Sequence, residues 1–250
     1  DKSMVLTVTG TAGARYRLLE TLRQFAGDRL ADAPDVTEVY DRHAEYWRDQ
    51  AVASARATGG SDQVVVLDAI DADIDNYRTA FAHLLSGGRV NDAARGILAF
   101  DAYWQIRRAR EGLRWYQQLL AHPDLDAERR PRALANAAQF ETVCGDVFAG
   151  ERYATEAVAL ADASGVAPPW GALQAMMFVA RNRHNPEAYR HWYQRAHEVA
   201  VASGQPYLRL VTEAQRSEVS SAAEAAEVVE HYERLLSEIH QHGDPVLVAT

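Results

Sequence analysis

Residues 133–160 read ALANAAQFETVCGDVFAGERYATEAVAL. Gly145-Asp146 interrupts this stretch, with a helical pattern from Ala133 to Val143 before it and a second one around Ala154 and Ala157 after it. Ala157 has counterparts along the chain. Ala80, Leu119, Ala157, Ala196 and Leu235 are separated by 39, 38, 39 and 39 residues. Three positions before each stand Tyr77, Tyr116, Ala154, Tyr193 and Tyr232, and eight positions after come Gly88, Ala127, Gly165, Gly204 and Gly243. Four matches of five in both columns, in a chain with 15 Gly and 11 Tyr, mark an internal repeat.

The columns have a physical reading. A glycine just beyond a helical pattern supplies the left-handed residue that ends a helix without a Cβ penalty. A Tyr one turn before the small or Leu position lies on the same helical face. Each unit therefore closes with an amphipathic helix stopped by Gly. A further helical stretch precedes it: Ala93 to Ile106, Ala133 to Val143, Ala172 to Val179 and Leu208 to Arg216. Two helices in about 39 residues make a hairpin that cannot bury its face alone, so neighbours must stack. The fold expected is all-α, a right-handed helical-hairpin superhelix.

The first 60 residues differ. Met4-Val5-Leu6 with Val8 favours a strand, Gly10 to Gly13 signals a turn, and Arg15 to Leu18 reads as the returning strand of a short N-terminal β-hairpin. From Leu19 the period becomes helical through Leu22, Phe25, Ala26 and Leu30, until Pro34. Asp35 with Glu38 resembles a capping box for the next helix, which Gly59-Gly60-Ser61 closes. The expected division is 1–34, hairpin plus helix; 35–60, a connecting helix; and 61–250, the repeats.

The 133–160 unit resembles a tetratricopeptide (TPR) motif, with Gly145-Asp146 at the interhelical turn and Ala157 at the small position of the second helix. Other units depart from it, with no Gly-Asp and longer turns. Arg15 to Ala26 is similar to the end of the winged-helix segment of bacterial NB-ARC/STAND-type signal-transducing ATPase regulators. Asp41 to Trp47 resembles the helix that follows it there, and Asp73 to Ala80 and Arg110 to Tyr116 resemble the start of their TPR region. The resemblance implies an ATPase core ahead of this segment and a LuxR-type helix-turn-helix or other output domain after it; some members carry a cyclase domain. It implies a regulatory region that binds a ligand or protein partner and controls the ATPase and output domains. The rival reading is a constitutive docking or oligomerisation scaffold. Asp1-Lys2-Ser3, with no initiator Met or signal pattern, and the helix-like start at Pro245 to Thr250 suggest a segment of a longer polypeptide.

Composition narrows the chemistry. With 26 basic and 35 acidic residues the chain carries −9, which argues against direct nucleic-acid binding by this segment. No apolar run approaches the roughly 18 residues of a membrane span, and a cytoplasmic location is expected. The single cysteine, Cys144, reads as a structural thiol. Gly10 to Gly13 lacks the Lys of a phosphate loop, so no cofactor is expected in this segment. His184 and His191 are separated by Asn185-Pro186, His240 and His242 read as helix-end residues, and His43 reads as an interhelical hydrogen-bonding residue; none suggests a metal site. Asp68, Asp71, Asp73 and Asp75 read as caps and a solvated face, without the partner that acid–base catalysis needs. No enzymatic constellation emerges.

Two candidate surfaces remain. In a TPR array the first helix of each hairpin lines the concave face; counting back from the anchors places Asp101, Trp104, Gln105, Gln139, Thr142, Phe178, Arg181 and Asn182 there. They mix aromatic area with directed polar groups, as a recognition groove requires, and predict that Trp104, Gln139 and Arg181 share one part-exposed concavity. The competing reading is that Trp104 and Phe178 fill packing between hairpins. The second surface is Arg107, Arg108, Arg110, Arg114, Arg129, Arg130 and Arg132: within 107–132, seven arginines stand against four acids, a net of +3. It suggests docking to an acidic partner or to the protein's own ATPase domain, against a bland reading of scattered solvated arginines.

Overall fold

The computed structural model describes residues 5–10, 13–55, 57–58, 62–216, 230, 233–238 and 241. Met4, Thr11 and Ala12 of the expected hairpin, Gly59-Gly60-Ser61, Tyr232, His240, His242, Gly243 and the Pro245–Thr250 segment lie outside the described residues. Strands β1 (Val5–Gly10) and β2 (Gly13–Leu18) pair antiparallel, from Val5 opposite Leu18 to Gly10 opposite Gly13. The expected β-hairpin is therefore present. It leads into α1 (Glu20–Ala31), which buries no residue.

Helix α2 (Val36–Ala55) packs against α3 (Gln63–Ser86) and α4 (Val90–Ala99), closing over the fully buried Ala44 and Ala51. The Trp47 ring meets Tyr77 edge-on at 4.8 Å, and His43 lies 6.2 Å from Trp47. Polar pairs fasten the rim of this contact: His83 Nε2 lies 2.8 Å from Asp41, and Arg89 reaches Glu45 and Asp92, each at 2.8 Å.

The chain continues through α5 (Asp101–Arg107), α6 (Ala109–Ala121), α7 (Arg130–Cys144), α8 (Val147–Ala163), α9 (Trp170–Asn182), α10 (Pro186–Ser203) and α11 (Pro206–Glu213). The result is an all-α, repeat-like array. Its register is physical: Ala80, Leu119, Ala157 and Ala196 are completely buried, and Leu235 is nearly so. Gly88, Gly165 and Gly204 follow the ends of α3, α8 and α10 with φ of 72°, 66° and 64°. Ala127, in the same column, sits instead in the longer loop between α6 and α7. Asn91 holds that loop, donating to the Asp124 carbonyl at 3.0 Å and accepting from the Asp126 amide at 2.8 Å.

Two sequence expectations change. The helix expected from Ala93 to Ile106 breaks at Phe100 into α4 and α5. No Gly or Pro marks that break; Phe100 is fully buried among Tyr77, Phe81, Tyr103 and Trp104, with ring centroids 4.5 to 5.9 Å away. Aromatic packing sets the chain direction here. Second, the α9–α10 turn is as tight as the Gly145-Asp146 turn. His184 takes the left-handed position (φ 51°) that Gly145 takes 39 residues earlier. Asn185 accepts from the Ala188 amide at 3.0 Å, as Asp146 accepts from that of Ala149 at 2.8 Å. The Asn185 amide bonds back to the Ala180 carbonyl at 3.0 Å, and Asp146 to Glu141 at 3.0 Å, so both turns close with the same six-to-one bond.

Candidate functional site

Helix α7 carries the groove, and its composition explains why. Ala133, Ala135, Ala137 and Ala138 leave the backbone approachable from several sides, so α6, α8 and α9 all pack on it. Gly150 of α8 lies where a Cβ would come within 2.8 Å of Thr142 Cγ2 and 3.0 Å of the Ala138 carbonyl oxygen. Gly171 of α9 faces Gln139 Oε1 and the Ala135 carbonyl oxygen at 3.3 and 3.4 Å by the same measure. These close approaches leave a cleft along the C-terminal half of α7, opposite α9.

Gln139, Thr142, Phe178 and Arg181 share that cleft with Val143, Gln174, Met177, Tyr189 and Gln215. The Arg181 guanidinium lies 5.3 Å from the Phe178 ring centroid, a cation–π contact at the rim. Thr142 donates back to the Gln139 carbonyl at 2.7 Å. Gln174 and Gln215 exchange amide hydrogen bonds at 3.1 and 2.9 Å, fixing one wall. Beside them the Trp170 indole donates to the fully buried Thr212 hydroxyl at 2.9 Å, which donates to the Leu208 carbonyl at 2.7 Å. The cleft encloses about 130 Å³. That is small against the roughly 300 Å³ at which metabolite pockets begin, so its chemistry suits an inserted side chain with polar contacts.

The other groove candidates do not join it. Trp104 is completely buried, its indole donating to the Ile97 carbonyl at 3.1 Å, so the expectation of a part-exposed Trp104 is corrected: the break at Phe100 turns it into the core. Asp101 is half-buried and accepts from the Tyr116 hydroxyl at 3.2 Å; burial raises its pKa, against the nearby Arg132 charge. Gln105 is exposed on α5. Asn182 donates to the Phe178 carbonyl at 2.8 Å, closing the end of α9. Gln174 was missed although it precedes Phe178 by four and Arg181 by seven, the spacing of one helical face. Gln215 belongs to the following hairpin and carried no signal.

The arginine patch is largely occupied from within. Arg107 pairs with Asp68 at 2.7 Å; Arg108 reaches Asp71 at 2.8 Å and the Tyr103 hydroxyl, also at 2.8 Å. Arg129 pairs with Asp126, Arg130 approaches Glu156 at 3.6 Å, and Arg132 donates to the Leu98 carbonyl at 3.1 Å. Asp68 and Asp71 of the acidic run on α3 are thus the counterparts of Arg107 and Arg108, about one repeat away. Tyr103 is pushed above its ordinary pKa by burial and by its bond to Asp71. Among the described residues Arg110, Arg114 and Arg132 are the exposed arginines of the seven that form no ion pair, and of these Arg132 is held by its bond to the Leu98 carbonyl.

Cys144 is half-buried against the core. Among the described residues, no three or more His, Cys, Asp or Glu side chains gather as a metal site, and no helix is long and apolar enough to cross a membrane.

No family model matches the chain. It is 30% identical over 211 residues to proteins of Mycobacterium bovis and Mycobacterium tuberculosis whose provisional names read HTH-type transcriptional regulator. The match covers 81% of this chain and 24% of each relative, so the chain spans about a quarter of their length. Transcription regulation is the context that these relatives supply.

Proposed function

We propose that this chain is the TPR-like regulatory region of a multidomain signal-transducing ATPase that controls transcription, of the NB-ARC/STAND and LuxR-type kind. The observation that carries the reading is the similarity of four-fifths of the chain to one quarter of HTH-type regulators. The bulk negative charge fits a region that leaves DNA contact to another part of the protein. In this reading the α7–α9 cleft receives a side chain from a cytoplasmic protein partner or from the regulator's own ATPase domain. Docking there shifts a closed–open equilibrium without chemistry in this region.

The experiment is a reporter assay of the intact regulator carrying Gln139→Ala with Arg181→Ala. Transcription should change at least about 5-fold, equivalent to roughly 1 kcal/mol of coupling, while operator binding is unchanged. Unaltered transcription, with concentration-dependent self-association of the 250-residue chain in sedimentation, would favour the constitutive scaffold instead. The chain itself is expected to bind no ATP; saturable micromolar binding in calorimetry would contradict that.

A further inference from the structure

The repeat register allows the same face of successive helices to be compared. Positions six and three before the anchor and one after it form a stripe that meets the next hairpin. They hold Ile74, Tyr77 and Phe81 on α3, then Leu113, Tyr116 and Leu120 on α6. On α8 they hold Glu151, Ala154 and Val158, and Glu151 takes Arg183 of the next hairpin in a two-pronged pair at 2.6 and 2.7 Å. On α10 the same three positions hold Arg190, Tyr193 and His197. The stripe that is buried and apolar at the start of the array has become cationic and aromatic.

The packing changes with it. Tyr77 and Phe81 are buried against Phe100, and Tyr116 against Phe140, whereas Arg190 is exposed and Tyr193 and His197 are half-buried. A cavity of about 640 Å³ lies between α10, the end of α11 and the helical residues 233–238. Its wall is Arg190, Tyr193, Gln194 and His197, faced by Arg216 and Arg234. Among the described residues Glu213 is the one acid in the lining, and it is engaged by Arg209 at 3.1 Å. Glu238 is taken by Arg209 as well. The Arg190 and Arg234 side chains thus line a space where, among the described residues, the lining carboxylate is already paired, in a chain whose net charge is −9.

We propose that this cavity binds a small organic polyanion, with carboxylate or phosphate groups held by Arg190 and Arg234 and the stacked Tyr193 and His197 rings forming the floor. Guanidinium groups match both oxyanions with paired hydrogen bonds. The volume lies within the range of small-molecule sites, about 300–1,000 Å³. The site is separate from the α7–α9 cleft and does not depend on the regulatory reading.

Calorimetry of the 250-residue chain at low salt, with citrate and with pyrophosphate as probes, tests it. One-to-one saturable binding of at least one probe is expected; citrate alone would assign carboxylates, and pyrophosphate alone phosphates. Arg190→Gln and Arg234→Gln should each weaken binding at least about tenfold, with the fold checked by circular dichroism. Arg114→Gln, an exposed arginine outside the cavity, should leave it unchanged. No saturable binding of either probe at millimolar concentration would overturn the proposal. Equal weakening by Arg114→Gln would do the same, because it would show diffuse charge attraction. Binding of a single-stranded oligonucleotide with neither small anion bound would also overturn it.

Discussion

Asp101 carries the most informative ionisation in the array. Burial raises its pKa, with the Arg132 charge and the Tyr116 hydroxyl opposing. A carboxyl that holds its proton more tightly folded than unfolded lowers stability as pH rises from the ordinary carboxylate value through the raised one. Asp101→Asn keeps an acceptor for Tyr116 and removes that penalty. The variant should therefore be more stable than the parent at pH 7, and the advantage should vanish below about pH 4, in urea midpoints measured across pH. Greater stability of the parent at pH 7 would show that Arg132 outweighs burial. A second residue-scale test concerns backbone strain. His184 occupies the left-handed region that Gly145 fills in the equivalent turn. A side chain there costs about 1–2 kcal/mol, partly offset by the freedom glycine gains when unfolded. His184→Gly should raise stability by roughly 0.5–1 kcal/mol, seen as a higher Tm, and Gly145→Ala should lower it. The turn at 145–146 was legible because Gly-Asp announces both a left-handed residue and a cap. The turn at 184–185 was not, because histidine does not advertise positive φ.

Among the helices, close approach decides what glycine is for. Gly112 on α6 faces the base of Trp104: an added Cβ would lie 2.5 Å from Trp104 Cβ and 2.8 Å from Cγ. Those atoms cannot swing away, because the indole is anchored on the Ile97 carbonyl. Gly112→Ala gains about 1 kcal/mol of helix propensity but meets an overpacking cost of about 1–3 kcal/mol. A net loss of stability is expected in denaturant unfolding. Gly27 on the exposed α1 has nothing within 4 Å, and Gly27→Ala should be neutral or stabilising by up to about 1 kcal/mol. The same helices carry the pairing that periodicity could not supply. Arg78 grips Glu111 with two bonds of 2.7 Å, joining α3 to α6 across 33 residues. Arg78 lowers the Glu111 pKa, with burial opposing. That contribution is present above the ordinary glutamate value and fades as pH falls through the lowered one.

At the scale of the whole molecule, the core of the described residues thins along the chain. One buried cluster, rich in aromatics, spans α2 to α7; a second, largely alanine with Leu, Met and Tyr, joins α7 to α10. Beyond them, Leu210 and Leu235 form a small third cluster. In a stacked array each hairpin draws stability from its neighbours, so opening should be graded. Hydrogen exchange should show the strongest protection in α3, α4, α6 and α7 and the weakest among these helices in α11. Uniform protection from α3 to α11 would contradict a graded array. The sequence by itself determined the helical class, the 39-residue register, the N-terminal hairpin and the glycine stops. All of these rest on local conformational preference and on a face that repeats every turn. Only the tertiary structure decided that Trp104 is core, that α3 acids occupy Arg107 and Arg108, and where the clefts open. Each depends on which side chains distant in sequence meet, and the bend at Phe100, which no local signal marks, redirects them.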